Sequence, residues 1–317
     1  MTLEVGQKAI DFFLALTGHL CIRFFGGEPL LQFELMKALT LYSEVEARAQ
    51  NKKVEFIMVT NATLLSREKT LFCREHSIQY SLSFDGCRES QDANRVFCNG
   101  DGSFETIDKN VDHILEINPG THIVAVMNPE NMSYLADTFS YFMNRGFKSI
   151  TLSPDYTHPG FHDSLPALEK ELYRLADRYV AHVRSGNGLY LDIFRQRDIF
   201  HGWGRCGLGM EDFSVSTDGR IYPCACFVDK DKYQLGHIES GFDATRYDAF
   251  KQEYNRLEAN LETVHKDCPE TSFCRRGCGC TNMVTTGVMS ETSSVLCEYG
   301  RVEQRVREYT AEKLKAV

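Results

Sequence analysis

The sequence predicts an α/β fold built on a parallel sheet, followed by a small cysteine-rich region. Five strand-like apolar runs alternate with helical patterns over the first 185 residues, which is the pattern of βαβ units joined by right-handed crossovers. Polar and small residues gather directly after each of those strands, at the end where parallel sheets place their active sites. Eight of the twelve cysteines fall between Cys206 and Cys297. That stretch has too little apolar material for a large core, so metal is expected to staple it.

Taken in order, residues 3–17 place Leu3, Ile10, Phe13 and Leu14 at helical spacing. A strand at 19–25 (HLCIRFF), alternating Leu20, Ile22 and Phe24, runs into Gly26-Gly27-Glu28-Pro29. A helix from about Leu30 to Ala49 precedes a strand at 54–60, and a helix at 66–76 precedes a strand at 78–84. The pattern repeats with a helix at 104–117, a strand at 122–127, a helix near 133–144 and a strand at 148–153. A long helical segment covers about 165–184. The strand ends read Gly26-Gly27-Glu28, Thr60-Asn61, Ser83-Phe84-Asp85, Met127-Asn128 and Ser153-Pro154-Asp155. Beyond residue 200, FSVSTDGRIYPC (213–224) reads as short strands about a hairpin turn at Asp218-Gly219. A helix near 243–261 and a charged helix over 299–316 complete the chain. The expected domains are 1–195, 196–300 and a C-terminal helix at 301–317.

Composition narrows the function. A net charge of −9 without a Lys/Arg block argues against nucleic acid as a partner. No apolar stretch reaches membrane-spanning length, and MTLEVGQKAIDFF has neither a basic start nor a cleavage site. A cytoplasmic location with no membrane partner is expected. In such a chain, clustered cysteines point to metal ligation rather than disulfides. Cys21, Cys73, Cys87 and Cys98, scattered over the first part, are expected to be reduced, partly buried small hydrophobes.

Five segments then stand in a telling order: FFGGEPLL (24–31), VTNATLL (59–65), SLSFDG (81–86), DANR (92–95) and GDGSFE (100–105). Together they resemble the landmarks of radical SAM peptide-modifying enzymes. Further on, Cys206, Gly219-RIYP-Cys224, Cys268-x5-Cys274-x3-Cys278 and Cys297 resemble the auxiliary-cluster (SPASM) domain of that group. The resemblance implies a partial (β/α)6 barrel missing its first strand, joined to a small SPASM domain with a short β-hairpin and helices. It implies S-adenosylmethionine (SAM) as cofactor, with Gly26, Gly27 and Glu28 against its methionine end and Ser83 and Arg95 helping to hold it. The chemistry is consistent with this, because glycines let the backbone approach an amino group and a carboxylate suits a cation. An arginine fork suits the ligand's carboxylate.

The same resemblance implies one or two auxiliary 4Fe-4S clusters held by thiolates. The first would use Cys206, Cys224 and Cys278, and the second Cys268, Cys274 and Cys297. His265 stands where the family has the first cysteine of C-x2-C, so His265 or Cys280 is the remaining ligand there. Cys226, two residues beyond Cys224, is the candidate for the gap in the first cluster. Ala225 stands where the sulfatase-maturing branch has a basic aspartate, which counts against formylglycine formation and leaves the wider group of ribosomal-peptide maturases.

In the family, a C-x3-C-x2-C loop carries the cluster that cleaves SAM, and a 5′-deoxyadenosyl radical then abstracts hydrogen from a peptide. No such spacing occurs in this sequence. Its first residues resemble the segment just downstream of that loop. The expectation is therefore a truncated or degenerate maturase that does not itself cleave SAM, with Met1 internal to a longer reading frame. A peptide or protein substrate and a flavodoxin- or ferredoxin-type reductant are the implied partners. Two alternatives stay open: a non-catalytic peptide-binding SPASM protein, and a zinc-stapled binding module, since C-x5-C-x3-C-x-C with a histidine also makes a tetrahedral site.

Overall fold

The computed structural model of the protein describes residues 1–194, 207–263, 268 and 278–316. The chain packs as two compact units, one of Met1–Ile57 and Asp198–Cys297, the other of Met58–Arg197 and Glu298–Val317. Strands β1 (His19–Phe24), β2 (Lys53–Thr60), β3 (Ile78–Ser83), β4 (His122–Met127), β5 (Ser149–Pro154) and β6 (Tyr190–Leu191) form one six-stranded sheet in that order. The boundary between the units falls inside β2. Parallel strands laid down in chain order and joined through helices are the arrangement of barrel-type α/β folds rather than doubly wound ones.

In the first unit, Thr2 caps α1 (Leu3–Leu16) by accepting from the Val5 N–H at 3.2 Å. Gly6 on that helix lets α2 (Phe33–Ala49) come close, since a Cβ there would lie 2.6 Å from Leu39 Cδ2. Ile10, Leu14, Leu39 and Ala47 form a buried cluster, and Leu20, Ile22 and Phe24 of β1 pack against it. The alternation read from the sequence is thus the inward face of an edge strand. Cys21 lies on the exposed face, and Cys98 is exposed as well, so neither is the partly buried hydrophobe expected. Cys73 is fully buried, and burial pushes its thiol up to about 12, which makes it inert.

The second unit carries α3 (Arg67–Glu75), α4 (Arg88–Asp92), α5 (Phe104–Ile117), α6 (Leu135–Arg145) and α7 (Phe161–Arg184). β4 and β5 pair over six residues, from His122↔Ser149 to Met127↔Pro154. Phe142 is fully buried and meets Phe84 and Phe147 edge-on at 5.6 and 5.5 Å. Four elements differ from expectation. A 3₁₀ turn at Pro29–Gln32 precedes α2, α7 starts four residues before the expected 165, and the short α4 and β6 were not foreseen.

The cysteine-rich part of the first unit holds β7 (Ser214–Val215), β8 (Arg220–Tyr222), β9 (Gly236–His237) and β10 (Gly241–Phe242), antiparallel in the order β10-β9-β8-β7. Gly219 turns the expected hairpin at φ +92°. Helices α8 (Ala244–Thr263), α9 (Gly279–Thr286) and α10 (Ser294–Lys315) follow. Leu208, Ile221, Phe227, Phe250, Cys280 and Met289 are the centre of its small core. Among the described residues, no helix is long and apolar enough to cross a membrane.

Candidate functional site

β8 runs directly into Pro223-Cys224, and the chain then tightens into a 3₁₀ turn at Ala225–Phe227. The Phe227 N–H donates to the Cys224 carbonyl at 3.0 Å, which presents Cys224 and Cys226 from one turn. Opposite, Cys278 precedes α9 as its N-cap and Cys280 sits in the first turn. The position between them is crowded: a Cβ on Gly279 would lie 2.7 Å from Met289 Cγ and 2.8 Å from Leu208 Cδ2. Two Cys-x-Cys pairs, one on a turn and one on a helix start, therefore face each other.

The sulfurs of Cys224, Cys226 and Cys280 all lie within 4.8 Å of one another. Cys278 joins through a side-chain hydrogen bond with Cys280, and the Thr281 hydroxyl donates to the Cys278 sulfur at 3.2 Å. The electrostatics follow from who donates. Thiol donors Cys226 and Cys280 hold the Cys224 thiol far below its ordinary range. Cys280, aided by Thr281, brings Cys278 down to about 5. Cys280, the shared donor, is pushed up correspondingly, as is Cys226 by its bond to Cys224. Thiolates stabilised by neighbouring S–H groups are the donor set a thiophilic metal takes over when it displaces those protons. This donor chemistry fits the iron–sulfur groups the resemblance implies.

Of the other expected ligands, Cys268 and Cys297 are half-buried and do not belong to this group of three. Cys206, His265 and Cys274 lie outside the described residues. Sequence reasoning held Cys226 and Cys280 only as substitutes. Their spacing, Cys-x-Cys repeated at 224–226 and 278–280, was the available signal.

The strand-end residues form a second set. Gly26 and Gly27 follow β1 with φ of +103° and +45°, backbone conformations that side chains other than glycine's resist. Glu28 caps the following 3₁₀ turn by accepting from the Leu30 N–H at 3.1 Å. In the other unit, Ser83 ends β3 opposite Val124. Arg95 donates through Nε to Asp85 Oδ2 at 2.7 Å, leaving its Nη groups on a 28% exposed side chain. Asp85 was read only as part of a strand end, yet it organises this corner. Its other carboxylate oxygen accepts from the Val126 N–H at 2.8 Å, and its carbonyl accepts from the Ser90 and Thr138 hydroxyls. The side chain is 1% exposed, so a carboxylate there is tolerable only because both oxygens are paired.

A six-stranded parallel sheet with polar strand ends and, in the same chain, a thiol group on a small antiparallel sheet together define a class. The family profile of the radical SAM superfamily matches residues 1–142, and an uncharacterized protein of Methanocaldococcus jannaschii is 30% identical over 255 residues, covering 76% of this chain and 84% of that one. The chain belongs to the radical SAM superfamily. Within it, the chain is similar to the cysteine-type anaerobic sulfatase-maturating enzyme of Clostridium perfringens, 27% identical over 282 residues that cover 82% of this chain and 74% of the relative. The solved structure of native anSMEcpe with bound AdoMet and Kp18Cys peptide superposes with a TM-score of 0.80 at 21% identity, covering 100% of this chain and 91% of that one. The expected partial-barrel α/β fold class is thereby borne out.

Proposed function

We propose that this sulfatase-maturase-like protein is of the peptide- or protein-modifying kind, with SAM and auxiliary metal as its cofactors and a flavodoxin- or ferredoxin-type protein as electron source. The observation that carries the reading is the group of Cys224, Cys226 and Cys280 within 4.8 Å, a thiolate centre in the unit that the resemblance assigns to auxiliary clusters. Bound SAM supplies the leaving group and bond-breaking chemistry of the family. The residues of this chain supply its binding. Gly26 and Gly27 open the backbone to an amino group, Glu28 brings a carboxylate beside them, Ser83 offers a hydroxyl, and Arg95, fixed by Asp85, offers its Nη fork to a carboxylate.

Residues 1–317 contain no C-x3-C-x2-C, so the reading for these residues is that they bind SAM and peptide without cleaving SAM. Calorimetric titration of the anaerobic protein with SAM tests the first part. The expected result is measurable binding that Asp85→Asn weakens about tenfold, a loss of about 1.4 kcal/mol through a loosened Arg95. No binding by the unaltered protein would remove SAM from the reading. Dithionite with SAM tests the second part. Formation of 5′-deoxyadenosine above a no-protein control would overturn the binding-only reading.

A further inference from the structure

The backbone of β8 is extended from Arg220 to Tyr222, and it is extended again at Cys224, whose φ and ψ are −166° and 159°. Successive side chains of an extended run alternate between faces. Ile221 lies in the small core, and Pro223 lies on the same side, its Cβ 2.9 Å from where a Cβ on Gly209 would stand against Phe250. Tyr222 and Cys224 therefore share the other face, two residues apart. Tyr222 is fully buried, and its hydroxyl has no hydrogen-bond partner among the described residues. The ring is nonetheless well held. Ser214 of β7 is its register partner, and the Arg220 guanidinium lies 5.8 Å from the ring centroid. That guanidinium is itself tied down, donating to Asp218 at 2.8 Å and to Asp229 at 3.1 Å. Tyr233, in the same region, shows the ordinary pattern: its hydroxyl donates to Glu253 Oε1 at 2.9 Å. A buried hydroxyl without an acceptor is costly, and native proteins rarely carry one unless a bound group completes it. A phenol O–H on the face of a thiolate ligand suits one acceptor in particular, the sulfur of an anionic iron–sulfur group.

We propose that the Tyr222 hydroxyl donates a hydrogen bond to a sulfur of the iron–sulfur group held through Cys224, and so sets that group's reduction potential. Reduction adds negative charge to the group. A donor aimed at its sulfur stabilises the reduced state more than the oxidised one, and the potential rises. The electron comes from the one-electron reductant of the proposed function; the O–H bond stays intact and no proton moves. The inference rests on the reading that this region holds an iron–sulfur group, and adds which side chain adjusts its redox behaviour.

The test is a redox titration of the full chain, purified without oxygen and followed by electron paramagnetic resonance. Tyr222→Phe removes the hydroxyl and keeps the ring. Iron and sulfide content should be unchanged while the potential falls. The equilibrium constant for one-electron reduction should drop about tenfold, a shift of about 59 mV. A merely structural hydroxyl would leave the potential where it was. Growth on 3-fluorotyrosine gives a second readout that needs no variant to fold. Its more acidic hydroxyl is a stronger donor and should move the same potential upward. An unchanged potential in the Phe variant, or with 3-fluorotyrosine should that variant not fold, would overturn the inference and leave the proposed function standing. Protein without iron or sulfide would overturn both.

Discussion

β4 pairs with β5 over six consecutive residue pairs, whereas β7, β8, β9 and β10 have only two or three residues each. The long ladder sits among side chains such as Phe84, Phe142, Ile123 and Leu152, all buried, and apolar burial of that extent orders it without help. The short ladders share a small core whose members include Cys280 itself, with Cys224 and Cys278 packed at its margin. Strands so short do not hold themselves. The difference teaches where each sheet draws its order: the parallel sheet from its own hydrophobic burial, the antiparallel one, on the proposed metal-binding reading, from coordination as well.

Removing metal is the strongest way to break the comparison. Apparent binding free energies for structural thiolate sites are on the order of 10 kcal/mol. Chelation should therefore release hydrogen-exchange protection in β7–β10 and α9 while β3–β5 remain protected. Equal loss in both sheets would show that the antiparallel one is not specially dependent on metal. Next in size, Phe142→Ala should cost about 3–5 kcal/mol, read as weakened exchange protection in β3–β5 with metal content unchanged.

Gly279→Ala sharpens the contrast from the other side. Its Cβ would press on Met289 and Leu208, at a cost of about 1–3 kcal/mol, and metal affinity should fall with stability. Unchanged metal affinity would uncouple that packing from the site. Smallest is the surface pair in which Arg305 donates twice to Glu169, at 2.7 Å each. The hydrogen bonds from Arg305 hold the Glu169 carboxyl below its ordinary value of 4.5. Its contribution is full above that ordinary value and fades as pH falls through the lowered one. Arg305→Ala should thus cost at most about 1 kcal/mol at pH 7, and the difference from the unaltered protein should shrink as the solution is acidified below pH 4.5, as followed by thermal unfolding.

Much of this architecture was legible because hydrophobic period is a local property. The five long strands and their helices lie close to where alternation and helical spacing put them, and Gly219 turns the foreseen hairpin. What escaped depends on tertiary context. β6 is only Tyr190–Leu191, too short for a period, and owes its strand state to pairing with Ser149 and Ile150 of β5. α7 begins at Phe161 although Pro166 lies within it, a residue that normally marks a helix start. In the site, sequence spacing named the cysteines but not their grouping. Cys226 and Cys280 come together with Cys224 only through the fold. Asp85 was visible as a polar strand end, while its hold on both Arg95 and the β4 backbone was not.

The thiol group is also graded in exposure: Cys226 is exposed, Cys224 and Cys278 are half-buried, and Cys280 is buried. That gradient imposes a sequence in time. Oxidants, alkylating reagents and competing metals arriving from water meet the Cys226 sulfur first, so ligand loss starts at one corner and proceeds inward. In the proposed metal centre the inner corner, Cys280, would be shielded until the outer bonds opened, so exchange would begin from the Cys226 side.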